Sequence, residues 1–401
     1  MFETGPYKKC PNSQCVGGET LGLLDVGGRR LTRRCTKCRH TVRETLPAID
    51  KKVIYLDQFA VSELFKVKNG TRRKDALIPF WEEAHRRVQR ALLLQQAVFP
   101  DSNVHLDETI VYKDGHELRL FHDMIGGDVT FLADHDVELH QLWEFADAFL
   151  AGQTAPTIAF DVNEILEGQR NTWLPLLHIT ANMDFSHLAP DVRSSRDSLE
   201  AALADLAKKW GQDKPGFEDA LRVEIGTLLR AHIQGFAAAQ ERMAKAVATG
   251  DTKAMMEAAL HQSNILMRQL MEKFGKSDDA MLRLAAFCNW PELGQMPQHR
   301  IAAHLYAAIA RSMAAGQVKA PKGMMNDIRA VSTYGPYVDA MFIDKGCAEL
   351  LRQIGPHVQL KARVFSLNDK QTFLDYLEEV ASAATPEVRA YAQELYDVDS
   401  L

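Results

Sequence analysis

The chain has 401 residues, 46% hydrophobic and 25% charged, a globular composition that excludes collagen, coiled coil and extensive disorder. No apolar run approaches the ~18 residues needed to cross a bilayer, and no basic segment followed by an apolar one opens the chain, so a soluble, cytoplasmic protein with no membrane partner is expected. Its length exceeds one ordinary core and predicts two or three structural units. The net charge of −6 conceals an asymmetry: residues 1–52 hold 11 Lys or Arg against 5 Asp or Glu, and the rest 36 against 48. A basic head on an acidic body predicts a polyanion-binding module joined to something else.

The head, residues 1–48, carries four of the six cysteines as Cys10-x4-Cys15, 19 residues, then Cys35-x2-Cys38. Two close pairs about 20 residues apart are the spacing of a four-thiolate tetrahedral Zn²⁺ site, each pair on a tight turn. The alternative, two structural disulfides, conflicts with a reducing compartment. Between the pairs, Leu21–Leu31 predicts two short strands around the Gly27-Gly28 turn. A head with so few large apolar side chains is expected to need the metal to fold. Its second half runs Arg29-Arg30-Leu31-Thr32-Arg33-Arg34-Cys35-Thr36-Lys37-Cys38-Arg39-His40, then Arg43. A Cys pair followed by a basic Cys-x-x-Cys-Arg segment resembles the small ribbons that precede catalytic domains in some transposases. Such an array can neutralise several phosphates without reading bases. A solvated basic face or a protein-docking knuckle is the alternative.

Residues 49–125 open an α/β domain. Lys51–Asp57 is a β-branched and aromatic strand ending on a carboxylate, and a helix follows from Gln58 to Lys66. A second strand, Gln96–Phe99, leads to Asp101, and the segment beyond carries Asp107 and Glu108.

Residues 126–320 read as an all-helical insertion. Leu199, Leu203, Leu206 and Trp210 form a buried stripe, as do Ile225, Leu228, Leu229 and Ile233, and then Ile301, Leu305 and Ile309. A lid, a substrate contact and a homo-oligomer interface are its candidate roles. Three tempting features take plainer readings. His135-Asp136-x-Glu138-x-His140 lacks the HExxH spacing and reads as a solvated helix face. Arg170-Asn171-Thr172-Trp173 reads as a helix end with a packed Trp. Cys288 and Cys347 read as small core residues.

Residues 321–401 return to the α/β pattern. Asn326–Tyr334 predicts a short helix capped by Asn326 and stopped at Gly335-Pro336. Tyr337–Ile343 predicts a strand ending at Asp344, followed by a helix over Cys347–Ile354. Lys361–Leu367 reads as the last strand and Asp369–Ser382 as the last helix.

Ligands of open parallel sheets bind at the carboxyl ends of the strands. Asp57 and Asp344 end strands and Asp327 starts a helix, so all three belong at that edge. Clustered carboxylates raise each other's pKa unless a cation intervenes, and Mg²⁺ or Mn²⁺ suits a set of hard oxygen donors. Helix capping is the alternative for Asp57 and Asp327, and a turn for Asp344. Asp101, just after its strand, is the better geometric candidate for another acid.

The order strand-Asp57, Glu108, Asp327, strand-Asp344 is similar to the PIN-domain nucleases. The segment Tyr334-Gly335-Pro336-Tyr337-Val338-Asp339-Ala340-Met341-Phe342-Ile343-Asp344-Lys345 resembles the link between the third and fourth acidic motifs of larger bacterial PIN-like proteins. Ile343 stands where the family often places Thr or Ser, and the insertion is longer than in minimal members. The resemblance implies a PIN-like parallel sheet flanked by helices. It also implies that Asp57, Glu108, Asp327 and Asp344 serve as both catalytic and metal-binding residues, with Glu108 ahead of Asp107. Asp339, included in the resemblance, faces away along the strand and is expected to be structural. The implied activity is metal-dependent endonuclease cleavage, of RNA more than DNA, leaving 5′-phosphate and 3′-hydroxyl ends. A toxin-like or defence role follows by the same analogy. Two other readings compete: a non-enzymatic zinc-ribbon adaptor or regulator that binds nucleic acid, and a phosphatase or other metal hydrolase on a similar sheet.

Overall fold

In the computed structural model, residues 3–398 are described except 113, 155, 157, 178–184, 276 and 317–322. The boundary expected at 320/321 therefore lies outside the described residues.

The head is a four-stranded antiparallel sheet in the order β1 (Thr4–Lys9), β2 (Glu19–Gly27), β3 (Arg30–Cys35), β4 (Thr41–Thr45). Gly28 adopts φ +61 in the β2–β3 turn, a conformation that glycine takes without strain. Alternation sends Leu31, Arg33 and Cys35 to the inner face of β3 and Arg30, Thr32 and Arg34 outward. The inner face does not stand alone. Leu23, Val26, Leu31 and Leu46 join the core of the domain that follows. The ribbon therefore also draws apolar support from that domain, a contribution that the sequence alone did not indicate.

That domain begins with β5 (Lys52–Leu56), α1 (Gln58–Lys68), α2 (Ile78–Leu93), β6 (Ala97–Val98), α3 (Asn103–Ile110) and α4 (Gly115–Gly126). A short antiparallel pair follows, β7 (Thr130–Phe131) with β8 (Leu166–Glu167), and between them lies α5 (Asp134–Leu150). Helices α6 (Ala189–Asp213), α7 (Phe217–Ile225), α8 (Leu228–Thr249), α9 (Thr252–Ala259), α10 (Gln262–Phe274), α11 (Asp278–Cys288) and α12 (Pro297–Ala314) complete the insertion. The chain ends with α13 (Met324–Tyr334), β9 (Ala340–Phe342), α14 (Lys345–Ile354), β10 (Arg363–Phe365), α15 (Lys370–Ser382) and α16 (Pro386–Tyr396).

Strands β10, β9, β5 and β6 pair in that order, all parallel. Val53, Ile54, Tyr55 and Leu56 are all buried, as expected of a strand covered on both faces. Ile54 and Leu56 meet α1, α2, α15 and α16 on one side, whereas Val53 and Tyr55 meet α12, α13 and α14 on the other. A third core, between α5, α8, α10 and α11, belongs to the insertion alone.

Several sequence-based expectations need correction. The strand expected over Tyr337–Ile343 shrinks to Ala340–Phe342, because Tyr337 and Val338 still donate backbone hydrogen bonds to Tyr334 at the end of α13. Helix α13 starts at Met324 with Gly323 at its cap, so Asn326 is not the cap. Helix α16 had no counterpart in the sequence reading. The insertion is not all helical, since β7 and β8 pair within it. Of the first stripe only Leu203 and Trp210 are buried, whereas Leu199 and Leu206 are exposed. The second stripe breaks between α7 and α8, leaving Leu229 buried and Ile233 exposed; the Leu228 side chain lies outside the described residues.

Residues 170–173 form a clamp, not a helix end. Trp173 is buried, donating from its backbone N–H to Gly28 O and from its indole to Pro47 O, both at 2.9 Å. Lys51, fully buried at the start of β5, donates to Thr172 O at 2.6 Å. These bonds fix the ribbon's hairpin tip at the amino-terminal edge of the parallel sheet.

Candidate functional site

The four cysteines converge. Their sulfurs all lie within 4.8 Å of one another, with Cys10–Cys38 at 3.6 Å and Cys15–Cys35 at 3.7 Å. Zn–S bonds of about 2.3 Å at tetrahedral angles place sulfurs about 3.8 Å apart, so the cage fits zinc. No pair is joined as a disulfide. Donors already point at the sulfurs. Burial raises the Cys35 thiol, but the Thr20 hydroxyl and the N–H groups of Cys38 and Lys37 outweigh it and bring that thiol down to about 6. Burial pushes Cys10 up to about 12. Metal binding here displaces a proton that burial otherwise retains.

The ribbon's basic array divides between docking and display. Arg33 is 0% exposed; its guanidinium donates to Glu44 at 2.9 Å and to Glu394 of α16 at 2.6 Å. Lys8 also reaches Glu394, at 2.8 Å. Arg34 and Arg39 both pair with Glu3. Part of the array expected to meet phosphates therefore anchors the ribbon to the body. Arg30, Lys37, His40 and Arg43 remain exposed.

At the opposite edge of the sheet, one strand length or about 17 Å away, the acids gather. Asp57 follows β5. Its carboxylate accepts from the N–H of Gln58 at 2.8 Å and from that of Asp344, while its own N–H donates to Phe342 O at 2.9 Å. Asp344 follows the adjacent strand and accepts from Gly346 N–H at 2.6 Å. Both residues thus cap helices at the strand edge. Asp327 projects from the first turn of α13. Glu108, on α3, accepts from Asn326 Nδ2 at 2.8 Å, which ties it to the turn that carries Asp327.

The four carboxylates act on one another electrically. Burial, then the charges of Glu108 and Asp344, push Asp57 up to about 7. Burial, then Asp57, Asp344 and Glu108, push Asp327 up to about 9. Burial raises Glu108 as well, opposed by its Asn326 bond and by the charge of Arg196 from α6. Fully buried Cys347 lies close enough to feel Asp327, Asp57 and Asp344.

The acids are more spread than the thiols. Among the described residues, the cysteines are the one group of three or more such ligands whose donor atoms all fall within 4.8 Å. Asp101 faces Asp123, Arg119 and Glu167 instead of the cluster. Asp107 pairs with Arg329 at 3.4 Å, and Arg329 also holds Asp134 through two bonds of 2.6 and 2.7 Å. Asp339 lies at the far edge, accepting from Val53 N–H and pairing with Lys52.

Three contributors escaped the sequence reading. Asn326 reads as a cap from sequence, and Arg196 lies far along the chain from Asp57, Glu108, Asp327 and Asp344. The third, His105, is buried. Its Nε2 donates to Leu56 O at 2.7 Å while Nδ1 accepts from the Ser102 hydroxyl at 2.9 Å. This pins α3 against the end of β5, helped by Gln58 Nε2 on Thr109 at 2.9 Å. The i,i+3 spacing of Ser102, His105 and Glu108 was the available signal.

Among the described residues, no helix is long and apolar enough to cross a membrane. Compared with known proteins, the chain matches no family model, no curated protein and no solved structure.

Proposed function

We propose that the chain is a metal-dependent endonuclease with a PIN-like α/β domain, acting on RNA before DNA, whose zinc ribbon adds a nucleic-acid contact. The observation that carries this reading is the meeting of Asp57, Glu108, Asp327 and Asp344, from four separate segments, at the carboxyl end of a parallel sheet. Carboxylates pushed this far up by burial and repulsion call for a proton or a cation. Four hard oxygen donors fit one or two Mg²⁺ or Mn²⁺ ions.

Metal bound there supplies a water that is nucleophilic at neutral pH and positive charge beside the phosphate. The chain's own part is placement. Asp57 and Asp344 ride on the ends of neighbouring strands, which the Asp57 N–H joins by donating to Phe342 O. Asn326 fixes the Glu108 carboxylate, and His105 fixes the helix that bears it.

The test is cleavage of labelled single-stranded RNA and DNA in Mg²⁺ or Mn²⁺, wild type beside Asp57→Asn. Cutting in the variant should fall by at least about a thousandfold, as expected when a metal ligand is lost, with an unchanged circular dichroism spectrum. Full activity in the variant rejects the assignment. A wild type that cuts neither polymer favours the adaptor reading, in which the acidic domain is a scaffold.

A further inference from the structure

A groove of about 660 Å³ opens at Glu108. One wall is α1, with Phe59 and Lys66; the other is built from Tyr112, beyond α3, and from Arg196 on α6 of the insertion. The ring of Phe59 packs edge-on against Trp81, centroids 6.1 Å apart at 83°. Tyr112 is exposed.

The cations of the groove are unequal. Lys66 pairs with Glu63 at 2.7 Å, and Arg72 with Glu63 at 2.6 Å and Asp75 at 2.8 Å, so their charge is largely answered. Among the described residues Arg196 makes one looser pair, with Glu200 at 3.5 Å, and its side chain is 48% exposed. It is also the cation that acts on Glu108. A phosphate approaching four carboxylates needs positive charge beyond what bound ions supply, and Arg196 stands at that entrance.

We infer that this groove holds the single-stranded stretch of the substrate next to the scissile bond, with Arg196 on a phosphate and Tyr112 stacked on an unpaired base; this rests on the nuclease reading above. An aromatic wall beside one cation is how sequence-tolerant single-strand sites are built. A cleft of this volume admits a nucleotide or two and excludes a double helix. The insertion is then not a remote appendage, because α6 carries one side of the substrate path.

Binding of a fluorescent single-stranded 12-mer to the full zinc-loaded chain, on the Asp57→Asn background that prevents turnover, tests this. Arg196→Ala should weaken binding about tenfold. It should also make the plot of log affinity against log salt shallower by about 0.7, the signature of one lost phosphate contact on a single strand. Arg196→Lys should keep the slope. Tyr112→Ala should weaken binding about tenfold with the slope unchanged, and a blunt duplex should bind at least tenfold more weakly than the single strand. Arg196 sits on a helix surface, so its variants keep the fold, and circular dichroism checks this. An unchanged salt slope in Arg196→Ala, or a duplex bound as tightly as the single strand, overturns the inference and leaves the nuclease reading standing. If the wild type cuts no nucleic acid and the background variant binds none, the nuclease reading falls and takes this inference with it.

Discussion

Two clusters of metal-type ligands share this chain, and they are built in opposite ways. The cysteine cage draws all its ligands from Cys10 to Cys38, within one small sheet, and closes them to within 4.8 Å. The acid cluster draws on β5, α3, α13 and β9, spanning most of the chain, and stays open. Closed four-ligand cages are structural, whereas chemistry needs room for water and substrate. The cage also differs in its partners. Its sulfurs are met by backbone and Thr20 donors, while the acids, apart from a few hydrogen bonds, meet mainly one another. The lesson is that ligand identity alone does not separate a staple from a candidate reaction centre, whereas closure and second partners do.

The largest effect that would break the comparison is at the cage. Cys35→Ser should lower zinc affinity by at least about a hundredfold and reduce bound zinc from one per chain to none, read by metal analysis. Because Leu23, Val26, Leu31 and Leu46 share the domain core, the strands that carry them and the α/β domain should keep much of their hydrogen-exchange protection, while the turns that hold the cysteines lose theirs. Global unfolding would show that the ribbon is not a separable unit. Next in size is the docking contact. Glu394→Ala leaves Arg33 buried with Glu44 as its remaining ion pair, and a buried charge stripped of a partner costs roughly 2–4 kcal/mol. Urea denaturation should show that loss, and a change below about 0.5 kcal/mol would mean that the Glu394 ion pairs contribute little to holding the ribbon.

The smallest effect sharpens the other side. In the metal-free protein Asp327 has its pKa raised to about 9 from an ordinary 3.8. The folded state then binds the proton more tightly than the unfolded chain, so stability falls as pH rises from about 4 towards 9. Asp327→Asn removes that term. At pH 8 without divalent metal the variant should be more stable than wild type by roughly 1–3 kcal/mol. Added Mg²⁺ should narrow or reverse the gap. A variant less stable than wild type under metal-free conditions would mean that Asp327 is held by a compensating partner instead of being repelled by its neighbours.

Local chemistry was legible directly. Cys10, Cys15, Cys35 and Cys38 announce a cage by spacing, because a tetrahedral thiolate site is assembled from two tight turns that each lie within a few residues. The buried parallel strand ending at Asp57 was legible for a similar reason: an unbroken apolar run is what a strand covered on both faces requires. Asp344 was placed at the end of a strand that proved shorter than expected, since hydrogen bonds to Tyr334 extend the preceding turn. What spacing could not decide was which acid near residue 107 turns inward. Asp101 looked best on strand geometry, yet it faces Asp123, and Asp107 is drawn off by Arg329.

The split between sequence and tertiary structure follows from the range of the forces involved. Composition, the cysteine spacing and the apolar runs determined a zinc-type cage, an α/β sheet and a helical middle, because each depends on neighbours along the chain. Only the tertiary structure decided that Arg33 serves docking, that Trp173 clamps the ribbon to the sheet's amino-terminal edge, and that Asn326 and Arg196 attend Glu108. Those roles arise from electrostatic and packing contacts between residues far apart in sequence, and no local pattern encodes which charge will find which partner.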